Sequence, residues 1–131
     1  MIEGKAAERL RRHEIIWLTT VRPDGQPQSY PVWYVLDRAE IRIWSLDGVR
    51  VKNLTRHPKV SLHLNDNGKG GAIVTIEGEA EIDRSAGPGS AHPVYRDRYQ
   101  SLLESNGWTW DYFDSIYHVP IRVKPTRIQA W

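Results

Sequence analysis

Four residues within one short window could together grip a phosphate: Ser45, Arg50, Lys52 and Asn53. Hydroxyl, guanidinium, ammonium and amide groups all donate to phosphate oxygens. The window lies where an alternating, strand-like run passes through Asp47 and Gly48 into a helical pattern. A helix start with basic side chains in its first turns is a natural anion seat, because free backbone N–H groups and cationic side chains converge there. Residues 42–59 hold Arg42, Arg50, Lys52, Arg56 and Lys59 against the single acid Asp47, although the whole chain carries only +2. The sequence pI near 9.0 therefore reflects one local concentration of positive charge rather than a basic coat. The plain alternative is a solvated basic helix covering one end of the fold, and spacing alone does not choose between the two.

Other chemistries find less support. His13, His57, His63, His92 and His118 are scattered, with no HxH or HExxH spacing, so no metal site is expected. Glu77, Glu79 and Glu81 form a period-two row, as on a solvated sheet edge that resists aggregation. No nucleophile elbow, Walker loop or GxGxxG occurs. Any chemistry therefore needs an organic cofactor. Tyr30 and Trp33, with Pro31 between them, could line a flat ring system or simply pack a core or interface. Tyr30 or His63 could act as a proton donor, and a pocket water could do the same.

The chain has 131 residues, 40% hydrophobic and 26% charged, which suits one domain over 1–131. Six Trp and six Tyr for one Phe favour rings with a polar tip, fit for pockets, interfaces and cores. Without cysteine, disulfides and thiolate chemistry are excluded. No segment approaches the ~18 apolar residues of a membrane span, and a soluble cytoplasmic protein is the expectation.

These residues must be positioned by strands. Residues 2–12 read as a short amphipathic helix with a basic, solvent-facing end. Residues 14–21 read as a buried strand, 23–26 as a turn, 28–36 as a second strand and 41–46 as a third, forming a meander. A helix from Gly48 ends at Pro58, with Val51 and Leu54 toward the sheet. Val60, Leu62 and Leu64 alternate with polar residues, as in a strand with one buried face, and 72–83 reads as a fifth strand. A helix is expected from Pro93 to Glu104, then an aromatic, short helical segment over 108–116. Residues 117–124 and 126–131 read as strand-like pieces broken by Pro120 and Pro125. The expectation is mainly β: about six antiparallel strands with a few short helices, forming a small barrel.

The runs TTVRPDGQPQSYPVWY, IRIWS, GVRVKNLTRHPKVSLHL and TIEGEAEI, with the ending VPIRVKPTRIQAW, resemble the pyridoxamine 5'-phosphate oxidase-like split-barrel superfamily. Within it they are similar to the short deazaflavin-dependent oxidoreductases. The resemblance implies a homodimer of six-stranded split barrels holding coenzyme F-420, a deazaflavin, or alternatively FMN, in clefts at the interface. It implies that Ser45, Arg50, Lys52 and Asn53 take the cofactor phosphate. Gln28 and the Pro31, Val32 and Trp33 segment would lie along the ring, and the start of the fifth strand, Ala72 and Ile73, would approach from the partner chain. Position 50 is commonly Lys in that branch and is Arg here.

The activity implied is hydride transfer between reduced cofactor and a small organic acceptor, the protein supplying position and electrostatics. Vitamin B6 oxidation is not expected, because no recognisable C-terminal pyridoxal-holding segment is present. A non-catalytic flavin- or haem-binding module is the alternative of another class. Nucleic-acid binding ranks last, since positive charge is confined to one stretch.

Overall fold

The computed structural model describes residues 2–131. Seven strands build one antiparallel sheet: β1 Ile15–Val21, β2 Pro27–Trp33, β3 Val35–Asp37, β4 Glu40–Ser45, β5 Lys59–His63, β6 Val74–Ile82 and β7 Val119–Ala130. Their order across the sheet is β2-β1-β5-β6-β7-β4-β3. The two edge strands, β2 and β3, are separated in the chain only by Tyr34, so the sheet must curl until its edges meet, and β2 packs against β4. The result is a curled half-barrel with four α-helices: α1 Gly4–Arg12, α2 Val49–Arg56, α3 Pro93–Ser105 and α4 Trp110–Ile116.

Seven strands replace the expected six because one expected strand is broken in two. The expected strand 28–36 is broken at Tyr34, whose buried hydroxyl lies within donating distance of the carbonyls of Leu10 and His13. At the break the Tyr99 hydroxyl substitutes for a neighbouring strand. It accepts from Tyr34 N at 2.9 Å and lies within donating distance of Tyr34 O and Glu14 O. Tyr34 N and one of these two carbonyls are thereby satisfied.

The two expected C-terminal pieces are, in contrast, one strand in the sheet interior, between β6 and β4. Pro125 is accommodated because the β6–β7 register shifts between Glu77 and Gly78, opposite it. A bulge of this kind frees a position from the ladder. Gly78 is required at this crossing, since a Cβ there would lie 2.8 Å from the Lys124 carbonyl oxygen. Pro120 pairs opposite Trp44 and needs only to accept, which it does from Asp83 N at 2.9 Å.

The barrel interior is aliphatic, with Ile16, Leu18, Ile41, Ile43, Leu62, Ile76 and Val123 nearly or fully buried. Helix α1 caps one end through Ala6, Ala7 and Leu10. Arg9, expected to face solvent, instead donates to the carbonyls of Ile73 and Trp131 and ties α1 to the closing strand. Val60 and Leu62 are buried on β5, as their alternation requires. Glu77, Glu79 and Glu81 are exposed, but on the outer face of an interior strand rather than at a sheet edge.

A second core, of Val35, Trp44, Tyr95, Tyr99, Leu103, Trp110 and Phe113, packs the α3–α4 lobe against the barrel. Helix α3 begins at Pro93 as expected, and the His92 Nδ1 accepts from Tyr95 N at its first turn. Thr109 caps α4 in the same way. Outside the barrel, Arg42 pairs with Asp83 at 2.7 Å and with Asp37 at 3.6 Å, while Asp37 also meets His92 at 3.0 Å. This ion-pair belt fixes the loop that leads into the lobe.

Candidate functional site

Helix α2 divides the expected phosphate-binding residues. Positions two apart on an α-helix point about 200° apart, so Arg50 and Lys52 face opposite sides. The half-buried Arg50 guanidinium lies 4.9 Å from the centre of the Tyr30 ring. Among the described residues no carboxylate pairs with it. Burial lowers its pKa from the ordinary arginine value, while Tyr30 and Tyr117 act in the opposite direction. An arginine remains charged in such a setting, so this cation is partly stripped of water and unpaired.

Arg50 borders a cavity of about 180 Å³. Pro31, Val32 and Trp33 of β2 form one wall, Trp44 and Leu46 at the end of β4 form another, and the lobe contributes Tyr95, Asn106, Trp108, Phe113 and Tyr117. Trp33 is stacked with Tyr99, centroids 4.7 Å apart, and with Phe113 at 5.5 Å. Its indole therefore serves the second core and the cavity together.

On the opposite side of α2 lies a wider groove of about 840 Å³, lined by Asp47, Lys52, Thr55, Arg56, Arg84 and His118 among others. Lys52, Arg56 and Arg84 are exposed, and none is in an ion pair among the described residues. Neighbouring residues are sorted between the two hollows: Leu46 and Tyr117 border the cavity, whereas Asp47 and His118 border the groove.

The other expected residues occupy different positions. Ser45 is fully buried and its hydroxyl donates to Leu46 O at 2.9 Å. Asn53 is buried, and its amide nitrogen donates to Thr20 Oγ1 and to Gln28 Oε1, each at 3.0 Å. Both amide hydrogens are thus spent on clamping α2 to β1 and β2, which leaves Asn53 only an acceptor. Ala72 has φ +55° and Ile73 pairs with Trp131, and neither borders its own chain's cavity or groove, their expected approach being to the partner's site. His63 is exposed and stacked on Trp17, 6.2 Å between centroids, away from both hollows.

Sequence reasoning missed the lobe's contribution of Tyr95, Asn106, Trp108, Phe113 and Tyr117. The available signal was the density of aromatic residues over 95–117, which reads equally well as a core. Among the described residues no group of three His, Cys, Asp or Glu side chains could hold a metal ion, and no helix is long and apolar enough to cross a membrane.

A curled antiparallel half-barrel with a basic helix start beside an aromatic cavity is the architecture to which the sequence comparison gives a family. The profile of the family described as Pyridoxamine 5'-phosphate oxidase matches residues 2–131, and the chain belongs to that family. A conserved hypothetical protein from Mycobacterium tuberculosis is 26% identical with a TM-score of 0.75, over 100% of this chain and 84% of that one. An F-420 reductase shares 21% identity and a TM-score of 0.67, over 98% of each chain. The heme storage protein HutZ of Vibrio cholerae shares 17% identity and a TM-score of 0.64, over 94% of this chain and 90% of that one. No curated protein matches the sequence. The fold is therefore common to redox and haem-holding relatives.

Proposed function

We propose that the protein is a homodimeric oxidoreductase that moves a hydride between reduced coenzyme F-420 and a small organic acceptor. The observation that carries this reading is Arg50: an unpaired, half-buried cation beside an aromatic cavity and next to the Tyr30 to Trp33 segment of β2. Those are the demands of a cofactor that joins an anionic group to a flat ring.

Arg50 would hold the anionic end, and Lys52 with the groove beyond it would receive further negative charge. The Pro31 to Trp33 segment would lie along the ring. The bound cofactor would supply the hydride chemistry, and the chain would supply orientation and exclusion of water. A cavity of about 180 Å³ is smaller than the roughly 300 Å³ at which ligand pockets for drug-sized molecules begin. A tricyclic ring therefore needs a further wall, and Leu46 and Val49, 38% and 53% exposed beside Arg50, offer an apolar rim on which a partner subunit would close. Likeness to an F-420 reductase supports the deazaflavin reading, while comparable likeness to a FAD-binding protein keeps FMN as the alternative.

Titration of the purified protein with each cofactor, read by absorbance, tests the choice. Tighter binding of F-420 is expected, and tighter binding of FMN would overturn it. Light scattering should give twice the mass of one chain.

A further inference from the structure

The chain contains two Asn-Gly dipeptides, Asn67-Gly68 and Asn106-Gly107, and both are exposed. Asparagine is a chemically labile residue. Before glycine it is most so, because the next backbone nitrogen can attack its side-chain carbonyl carbon and no Cβ obstructs the approach. Type and exposure do not separate the two sites, but their hydrogen bonds do.

Asn67 lies in the connection between β5 and β6. The Gly68 N–H donates to Asp66 Oδ1 at 3.1 Å, so a carboxylate is in place to take the proton of the attacking nitrogen. Lys69 N and Gly71 N both donate to Asn67 Oδ1, at 2.8 and 3.1 Å. Negative charge gathers on that oxygen when a nucleophile adds to the carbonyl, and fixed donors stabilise it. Gly71 also leaves room for the departing amide, since a Cβ there would stand 2.9 Å from Asn67 Nδ2. Asn106, in contrast, ends α3 in helical geometry, φ −85° and ψ −4°. Its Gly107 N–H donates to the neutral carbonyl of Glu104 at 2.9 Å, and its own amide nitrogen is held by Leu102 O at 3.0 Å. A peptide carbonyl accepts a hydrogen bond but does not take the proton.

We propose that the 66–71 loop is a self-modification site, at which Asn67 is converted to isoaspartate and aspartate with Asp66 as the base. The Gly68 nitrogen bonds to Asn67 Cγ, and its hydrogen passes by way of the Asp66 carboxylate to Nδ2. The Cγ–Nδ2 bond then breaks and ammonia leaves a cyclic imide. Water opens the imide at either carbonyl, giving aspartate or, where the main chain is rerouted through Cγ, isoaspartate. The step needs no oxidant or cofactor and is independent of the function proposed above. Its product sets a second carboxylate beside Asp66, and the isoaspartate form adds a main-chain atom to a loop now closed by Asn67 N donating to Gly71 O at 2.9 Å.

The test is to hold the folded protein at mildly alkaline pH and follow both asparagines by peptide mapping with mass spectrometry, which reads the exchange of an amide for a carboxyl. Asn67 should convert at least about tenfold faster than Asn106, a modest share of what a positioned base contributes. In urea the loop and helix are lost, and the two rates should converge. Asp66→Asn should slow conversion at residue 67 about tenfold in the folded protein and leave the rate in urea unchanged. Equal rates at the two sites in the folded protein, or conversion of Asn106 first, overturns the proposal. So does an Asp66→Asn variant that converts as fast as wild type or faster, since the loop's hydrogen bonds would then shield Asn67 rather than activate it. The comparison of the two sites in wild type decides even if the variant does not fold.

Discussion

The Arg50 guanidinium sits over the Tyr30 ring, 4.9 Å from its centre, while Lys52, two residues along the same helix, borders the groove on the other side. One helix turn thus offers two cations to two separate hollows, and they should contribute unequally to anion binding. A half-buried charge interacts more strongly than an exposed one, because less water screens it. Arg50→Ala should weaken cofactor binding by about 1.5–3 kcal/mol, the range for a hydrogen bond to a charged group, and Lys52→Ala by less. Titration of each folded variant checks this. Unchanged affinity in Arg50→Ala would remove that residue from the site.

Tyr99 replaces a missing strand beside Tyr34, so its hydroxyl is a backbone partner as much as a side chain. Tyr99→Phe should destabilise the protein by about 1–3 kcal/mol, the cost of leaving buried groups unpaired. Urea denaturation reads this directly. A loss below about 0.5 kcal/mol would show that the β2–β3 break tolerates its exposed peptide groups.

Gly78 faces the Lys124 carbonyl across the β6–β7 bulge, where a Cβ would stand 2.8 Å away. Gly78→Ala must push the two strands apart, and about 1–3 kcal/mol of destabilisation is expected, as for overpacking elsewhere. Gly48→Ala, where an added Cβ meets nothing within 4 Å, is the control and should cost clearly less. Comparable losses in the two variants would argue against the close approach.

The Asp83 carboxyl is held at about 2 rather than 3.8, first by the Ser85 hydroxyl and then by Arg42. A carboxyl whose pKa falls on folding stabilises the protein above its unfolded pKa, and that contribution disappears as pH drops through the folded value. Wild type should therefore exceed Asp83→Asn in stability by a constant margin above about pH 4. The margin should shrink as pH is lowered toward 2. Melting temperatures measured across that range check the sign, and a margin that grows in acid would contradict it.

Local pattern determined much of this protein. Alternation of Val60 and Leu62 with Ser61 placed β5 and its buried face, Pro93 marked the start of α3, and the shift at Gly48 marked α2. These are properties of neighbouring residues, governed by periods of two and 3.6. Arg50 was recognisable as a cation at a helix start for the same reason.

Only the tertiary structure decided what each donor is free to do. Asn53 and Ser45 looked equivalent to Arg50 by type and spacing, yet partners remote in sequence or on the adjacent backbone occupy their donors: Thr20 and Gln28 for Asn53, Leu46 O for Ser45. Pro125 looked like a strand breaker until Gly78 met it across the sheet. The lobe residues Tyr95, Trp108 and Phe113 reach the β2 wall only because the sheet curls and brings 95–117 against 31–46. Side-chain type is local, but hydrogen-bond saturation and the shape of a cavity depend on contacts between distant segments, and those arise only when the chain closes on itself.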